Sequence, residues 1–276
     1  MRRTAWQRFR RSKLATLAVA YVVLITIIAA AAPMLTAGSP DAIELNAHLQ
    51  PPSTQHPFGT DNLGRDVLTR MIHGSRVSLL VGYSATALSL IIGSLLGALA
   101  GYYGGAADWI VSRLIEVVLC FPFLFLVLGI VALFRPSIYT ILIALALTSW
   151  TTEARFVRAE FLRIRELEYA LAARASGAGD SRIIFRHLLP NALAPVIVSA
   201  SFGVASAILT ESALSFLGFG VAFPTASWGS ILAIAKDYIE FAWWLVVFPG
   251  VAIFLTVAAF NLIGDRLRDV FDPKEG

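Results

Sequence analysis

The residues able to do chemistry in this 276-residue chain are few, and they are spaced too widely for the familiar constellations. Lysine occurs only at Lys13, Lys236 and Lys274, and none follows a glycine. The G-x-x-x-x-G-K-[ST] loop, whose backbone N–H groups and lysine cradle nucleotide phosphates, is therefore absent. His48, His56, His73 and His187 form no His-x3-His pair of the kind that holds zinc on one helix face. No serine sits in a G-x-S-x-G elbow. A single cysteine, Cys120, excludes an internal disulfide and any multi-cysteine metal site. The expectation is a non-enzymatic chain with no catalytic site, no metal site and no cofactor of its own.

What the chain does concentrate is a polar stretch at about 155–192 that holds seven arginines. Within it, Glu168 to Ala175 is built of strong helix formers. Gly177 and Gly179 interrupt that helix, and Asp180 is placed to cap a second one, Ser181 to Leu188, ahead of Pro190. The pattern predicts a helix, a glycine turn and a second helix leading straight into an apolar run. Ala170, Ala172, Ala173, Ala175 and Gly177 lack bulk, which lets the surface of another protein approach closely.

The elements that must position this loop are membrane spans. The chain is 57% hydrophobic and 14% charged, with a mean hydropathy of +0.73, against about 45–50% and about 25% for ordinary soluble domains. That excludes a disordered chain and leaves too few charges to cover a soluble surface of this size. Uncharged runs lie at 14–40, 77–107, 117–134, 136–152, 188–210, 212–235 and 241–264. The run at 212–235 carries Gly218, Gly220, Pro224 and Gly229 and reads as an irregular or re-entrant segment. Six spans are expected, at 14–35, 77–101, 112–133, 137–154, 193–215 and 243–263, each near the roughly 20 residues a bilayer requires. The apolar stretch from Leu14 is longer than the core of a cleaved signal, about 7–15 residues, so it reads as a retained span.

The basic residues orient these spans. With both termini in the cytoplasm, sixteen of the 22 lysines and arginines fall inside: six before residue 14, seven in the 155–192 loop and three after residue 264. This is the positive-inside asymmetry. It accounts for the net charge of +4 without nucleic acid as a partner. The expected organisation is an all-α polytopic bundle. Residues 1–35 form a cytoplasmic segment and first span, 36–76 an extracytoplasmic segment, 77–264 the core with its loop, and 265–276 a cytoplasmic tail.

The loop Ala172-Ala173-x3-Gly177, followed after nine residues by His187-Leu188-Leu189-Pro190, resembles the "EAA" loop of the inner-membrane permeases of ABC importers. The wider stretches 169–177 and 183–191, together with His56–Val67, Gly74–Leu79, Glu211–Gly220 and Asn261–Asp269, are similar to the dipeptide/oligopeptide permease branch and its C-type subunit. The resemblance covers about residues 14 to 273. Leu171 stands in the slot of the glutamate that names the loop, which puts a specific glutamate–ATPase ion pair in doubt but not the helix-glycine-helix shape.

The resemblance implies a multi-pass protein of the bacterial inner membrane that forms half of a translocation pathway for di- or oligopeptides. Its implied partners are a homologous second permease, two ATP-binding cassette subunits that bind ATP and Mg, an extracytoplasmic binding protein and membrane lipid. The implied coupling residues are Glu168, Tyr169, Ala172, Ala173, Gly177, Arg186, His187 and Pro190, with Gly177 and the two alanines chosen for small size. The same machinery carrying nickel chelates, glutathione or another small solute is the alternative. A secondary transporter driven by an ion gradient is a distant one.

Four further features carry expectations. Gly93, Gly97 and Gly101 form a small-x3-small seam suited to close helix packing within the chain. Glu211 is the acid set deepest in an apolar run, either structurally paired or lining the pathway. Arg113 and Glu116 are spaced to pair on one helix face, and Glu153 falls at the cytoplasmic end of the fourth span. Trp228, Trp243 and Trp244 read as an interfacial belt and Cys120 as a buried packing residue.

Overall fold

The computed structural model of the chain describes residues 12–36 and 38–271, less the side chains of residues 193, 194 and 271. The basic residues at 2–11 and Lys274 lie outside this range. Within it the chain is helical, with one isolated bridge between Thr60 and Asp66.

Helix α1 (Lys13–Leu35) starts at Ser12, whose hydroxyl accepts the Ala15 N–H at 3.2 Å. Its buried positions are all alanines, so it lies close against its neighbours. Helix α2 (Val67–Tyr103) is 37 residues long and N-capped by the Asp66 carboxylate, which accepts the Thr69 N–H at 2.7 Å. At 1.5 Å per residue it is about 55 Å long and outreaches an apolar slab of about 30 Å. Tyr21 and Tyr83 tie α1 to its neighbours: Tyr21 bonds Thr256 at 3.1 Å, and Tyr83 bonds Thr26 at 2.9 Å.

The expected single span at 112–133 is broken. Helices α3 (Gly105–Leu119) and α4 (Phe123–Leu133) meet at 87°. Pro122 is the cause: it has no N–H to donate and drives the residue before it out of the helical region. Helix α5 (Ile138–Ile164) runs ten residues past the expected end of the fourth span, into what reads as loop in the sequence. A short helix, α6 (Glu168–Ala175), and a tight turn lead into α7 (Leu189–Phe216). The weak apolar run at 212–235 comprises the end of α7, an irregular stretch and the eight-residue helix α8 (Trp228–Ala235), too short to span. Helix α9 (Trp244–Phe271) continues through most of the expected tail. Four helices are long and apolar enough to cross a bilayer: α1, α2, and most of α7 and α9. The bent pair α3–α4 taken together makes a fifth. Helix α5 is long but carries Glu153, Arg155 and Arg158 in its second half.

The glycine seam packs inside the chain, against α5. A Cβ on Gly93 would stand 2.5 Å from the Glu153 Cβ, one on Gly97 2.5 Å from the Ala154 carbonyl oxygen, and one on Gly101 2.6 Å from the Phe161 Cβ. The segment between α1 and α2 packs on the ends of α2 and α9. Buried Asp61 accepts the Arg65 Nε at 2.7 Å and lies 3.5 Å from the Arg70 Nε. The Trp244 indole donates to the Thr60 carbonyl at 3.0 Å, and Phe58 stacks on Phe248 with centroids 3.9 Å apart.

Two tryptophans expected at a lipid interface are instead core residues. Trp228 and Trp244 are buried, with their N–H groups on the carbonyls of Met71 and Thr60, and Trp243 alone is exposed. Cys120 is exposed at the end of α3 rather than buried. Arg113 and Glu116 do pair, at 2.6 Å.

Gly97→Ala should force α2 and α5 apart, because the obstacle is backbone, and lower stability by about 1–3 kcal/mol. Thermal unfolding of the purified chain in detergent reads this, and an unchanged midpoint would show that the seam has slack.

Candidate functional site

The polar loop is held against the end of α2 by named contacts. Arg165, at the C-terminus of α5, donates to the carbonyls of Gly101 and Tyr102 at 2.9 and 3.5 Å, placing a cation where the α2 dipole is negative. Arg158 grips the Asp108 carboxylate with both Nε and Nη2, the latter at 2.8 Å. The Tyr102 hydroxyl donates to Asp180 at 2.7 Å, and the Arg174 guanidinium lies over the Tyr102 ring at 5.4 Å. Beneath these contacts sits a small apolar core in which Ala170 of α6 meets Phe161, Ile164, Ile183 and Leu188.

The local backbone explains the shape. Helix α6 ends in a Schellman turn: the Ala178 N–H reaches the Ala173 carbonyl and the Gly177 N–H reaches the Arg174 carbonyl, both at 3.1 Å. Gly177 has φ +79°, and a Cβ there would meet open space. Within the chain the requirement at Gly177 is thus left-handed backbone. The expected second α-helix, Ser181 to Leu188 capped by Asp180, differs in form. Gly179 is the cap position, Asp180 opens a single turn to Arg182, and Ile183–Leu188 is a π-turn. The Asp180 carboxylate is occupied by Tyr102, so it does not cap. The π-turn runs into α7 without a break, the Leu189 N–H reaching the Ile184 carbonyl.

The residues singled out from sequence divide by exposure. Glu168, Tyr169, Ala172, Gly177, Arg186 and Pro190 are exposed, while Ala173 and His187 are half-buried. The His187 carbonyl accepts the Asn191 side-chain amide at 2.7 Å. Leu167, Leu171 and Phe185 are 39%, 44% and 56% exposed on the same loop. Three large apolar side chains are thus turned outward in an otherwise polar loop. The sequence analysis did not reach Tyr102, Asp108, Arg158 and Arg165, because their partners are 50 to 78 residues away and follow no local spacing.

Glu211 lies apart, fully buried in α7. Its partners are hydroxyls rather than a cation. Ser227 and Ser215 donate to Oε1 at 2.7 and 2.8 Å, and Ser78 and Ser212 reach Oε2 at 3.4 and 3.5 Å. Ser227 also caps α8, and the Ser78 hydroxyl accepts the Trp228 N–H at 3.2 Å. One carboxylate thus ties α2, α7 and α8 together. Glu153 differs: it borders a cavity of about 480 Å³ between α2, α5 and α7, and accepts a hydrogen bond from Ser199 at 2.5 Å.

Comparison with known proteins adds the following. Residues 93–275 match the family model described as the binding-protein-dependent transport system inner membrane component, and residues 1–52 match the N-terminal TM domain of oligopeptide transport permease C. A dipeptide transport system permease protein of Alkalihalophilus pseudofirmus is 43% identical over 99% of this chain and 90% of its own length. A di/tripeptide transport system permease protein of Pseudomonas aeruginosa is 43% identical over 98% of this chain and 91% of its own. An oligopeptide transport system permease protein of Bacillus subtilis is 38% identical over 98% and 88%. A solved structure of the MetNI methionine ABC transporter in an inward-facing conformation aligns with TM-score 0.58 and 20% identity, over 75% of this chain and 98% of that one.

Glu211→Leu should leave four serine hydroxyls without their acceptor and destabilise the chain by about 1–3 kcal/mol or more, while Glu211→Gln, which keeps an acceptor oxygen, should cost less. Unfolding midpoints of the two variants in detergent check the order, and equal losses would show that the serines do not depend on the carboxyl oxygens.

Proposed function

Because the chain belongs to the family of binding-protein-dependent transport system inner membrane components, we propose that it is the permease subunit of an ATP-driven peptide importer and forms half of the translocation pathway. It is a multi-pass protein of the bacterial cytoplasmic membrane. The observation that carries the reading is the near full-length likeness to dipeptide and oligopeptide permeases, joined to a rigid polar loop that runs unbroken into a membrane helix.

The chain crosses the membrane six times, with α3–α4 as one broken span and α5 as another, and both termini lie in the cytoplasm. The basic loop then faces the cytoplasm. Energy comes from two partner ATPases that bind ATP and Mg, since this sequence has no phosphate loop. A homologous permease supplies the other half of the pathway, and an extracytoplasmic binding protein delivers peptide.

The exposed side of the loop is the ATPase contact. Glu168, Tyr169, Leu171 and Ala172 on α6 meet the partner, with Gly177 and Arg186 on the following turn. Ala173, His187 and Pro190 hold the loop and the start of α7 in place. Closure of the ATPases on ATP shifts this loop as a body. The shift passes to α7 because no flexible joint lies between them. Helix α7 carries both Glu211 and Ser199, so the same displacement reaches the α8 tie and the cavity wall.

Purified with its membrane partners, the chain should bring down ATPase subunits whose hydrolysis rises with loaded binding protein. Gly177→Asp should preserve folding, because aspartate tolerates left-handed backbone, yet abolish uptake by setting a charge on the contact surface. Normal uptake by that variant, or an assembly without ATPase, would overturn the reading.

A further inference from the structure

The two buried glutamates among the described residues are treated differently by the fold. Glu211 has four hydroxyl donors and no space around it. Glu153 has one donor, Ser199 on Oε2, and its Oε1 receives no hydrogen bond from the described residues. No basic side chain pairs with it among the described residues. Among the described residues it is the sole charged side chain lining the cavity of about 480 Å³, a volume within the roughly 300–1,000 Å³ usual for small-molecule sites. The same cavity is lined by Thr86, which is 7% exposed and whose Oγ1 is buried with no partner. A half-satisfied carboxylate facing open space is costly inside a helical bundle. That cost is relieved by a ligand that brings positive charge and N–H donors.

We propose that this cavity is a subsite for the free α-ammonium group of the peptide cargo, with Glu153 as its acceptor. The proposal rests on the importer reading and adds to it a residue and a recognition rule. An ammonium offers three donors: one to Glu153 Oε1 and others to hydroxyls of the cavity lining. The remaining lining is hydroxyl and apolar, so the site reads the terminus that every unblocked peptide shares and not its side chains. The fold pins the acceptor. Absence of a side chain at Gly93 brings α2 against the Glu153 Cβ, so the carboxylate is directed from α5 toward α7. Its one hydrogen bond crosses from α5 to α7, the helix continuous with the loop, so movement of α7 alters how strongly Glu153 accepts.

The test uses the assembled importer with Cys120→Ala and Thr152→Cys, Thr152 being an exposed residue of the cavity wall. Modification of this cysteine by a cationic thiosulfonate should exceed that by an anionic one of equal size by about tenfold, the equivalent of about 1.4 kcal/mol. Diglycine should slow the cationic reaction, and N-acetyl-diglycine should not. Glu153→Gln keeps the shape and an acceptor for Ser199, yet it should bring the reagent ratio towards one, remove diglycine protection and lower dipeptide uptake per ATP hydrolysed. An unchanged ratio in Glu153→Gln, equal protection by both compounds, or protection by sodium ion in place of diglycine would each overturn the subsite. If the wild-type assembly imports peptide and Glu153→Gln imports it as fast, the subsite fails and the importer stands. If the wild type shows no peptide-driven ATP hydrolysis, the importer reading itself fails.

Discussion

Three absent side chains set the geometry of this protein. Gly93, Gly97 and Gly101 bring α2 and α5 to backbone contact, and other positions follow from that approach. In lipid there is little hydrophobic gain from pairing helices, so close van der Waals contact has to supply the attraction. The seam places Glu153 at the mouth of the cavity at one level. Two turns further on it places Arg158 beside Asp108 and Arg165 beside the last carbonyls of α2. The polar loop inherits its position from those arginines. A wider spacing of the pair would uncouple the loop from α2 and open the cavity wall together.

Polar groups inside the bundle obey one rule, met in two ways. Serine and threonine hydroxyls supply most of the internal partners, because they satisfy a buried acceptor without bringing a charge of their own. Around Glu211 this is complete, and the result is a fixed tie among three helices. Around Glu153 it is incomplete, and the incompleteness coincides with empty space. The outward-facing leucines, isoleucines and phenylalanines of the long apolar helices are the surface that such helices offer to lipid.

Much of this was legible in the sequence, and the misses share a physical cause. The helical class, the apolar segments and the helix-glycine-helix loop follow from local pattern, and so does the Arg113–Glu116 pair. At Gly177 spacing reveals a glycine without revealing its φ of +79°, which comes from the turn that ends α6. Asp180 has the chemistry of a cap, yet Tyr102, 78 residues earlier, takes its carboxylate. Glu211 stood out by its charge, but its four serines come from three separate stretches and carry no signal alone. Trp228 and Trp244 matched the composition of an interfacial belt, whereas the carbonyls that bury them come from distant backbone. The break at Pro122 replaces an expected single span, and its 87° size depends on what α4 packs against.

Helix α2 is about 55 Å long, and both of its ends are fastened. At one end Arg70 lies against Asp41 and buried Asp61 of the segment before α2. At the other, Tyr102 holds Asp180. A continuous helix of this kind hardly changes length, so the segment before α2 and the polar loop are held at a fixed separation. A displacement of the loop along that axis therefore has to carry α2, and the segment at its far end, with it.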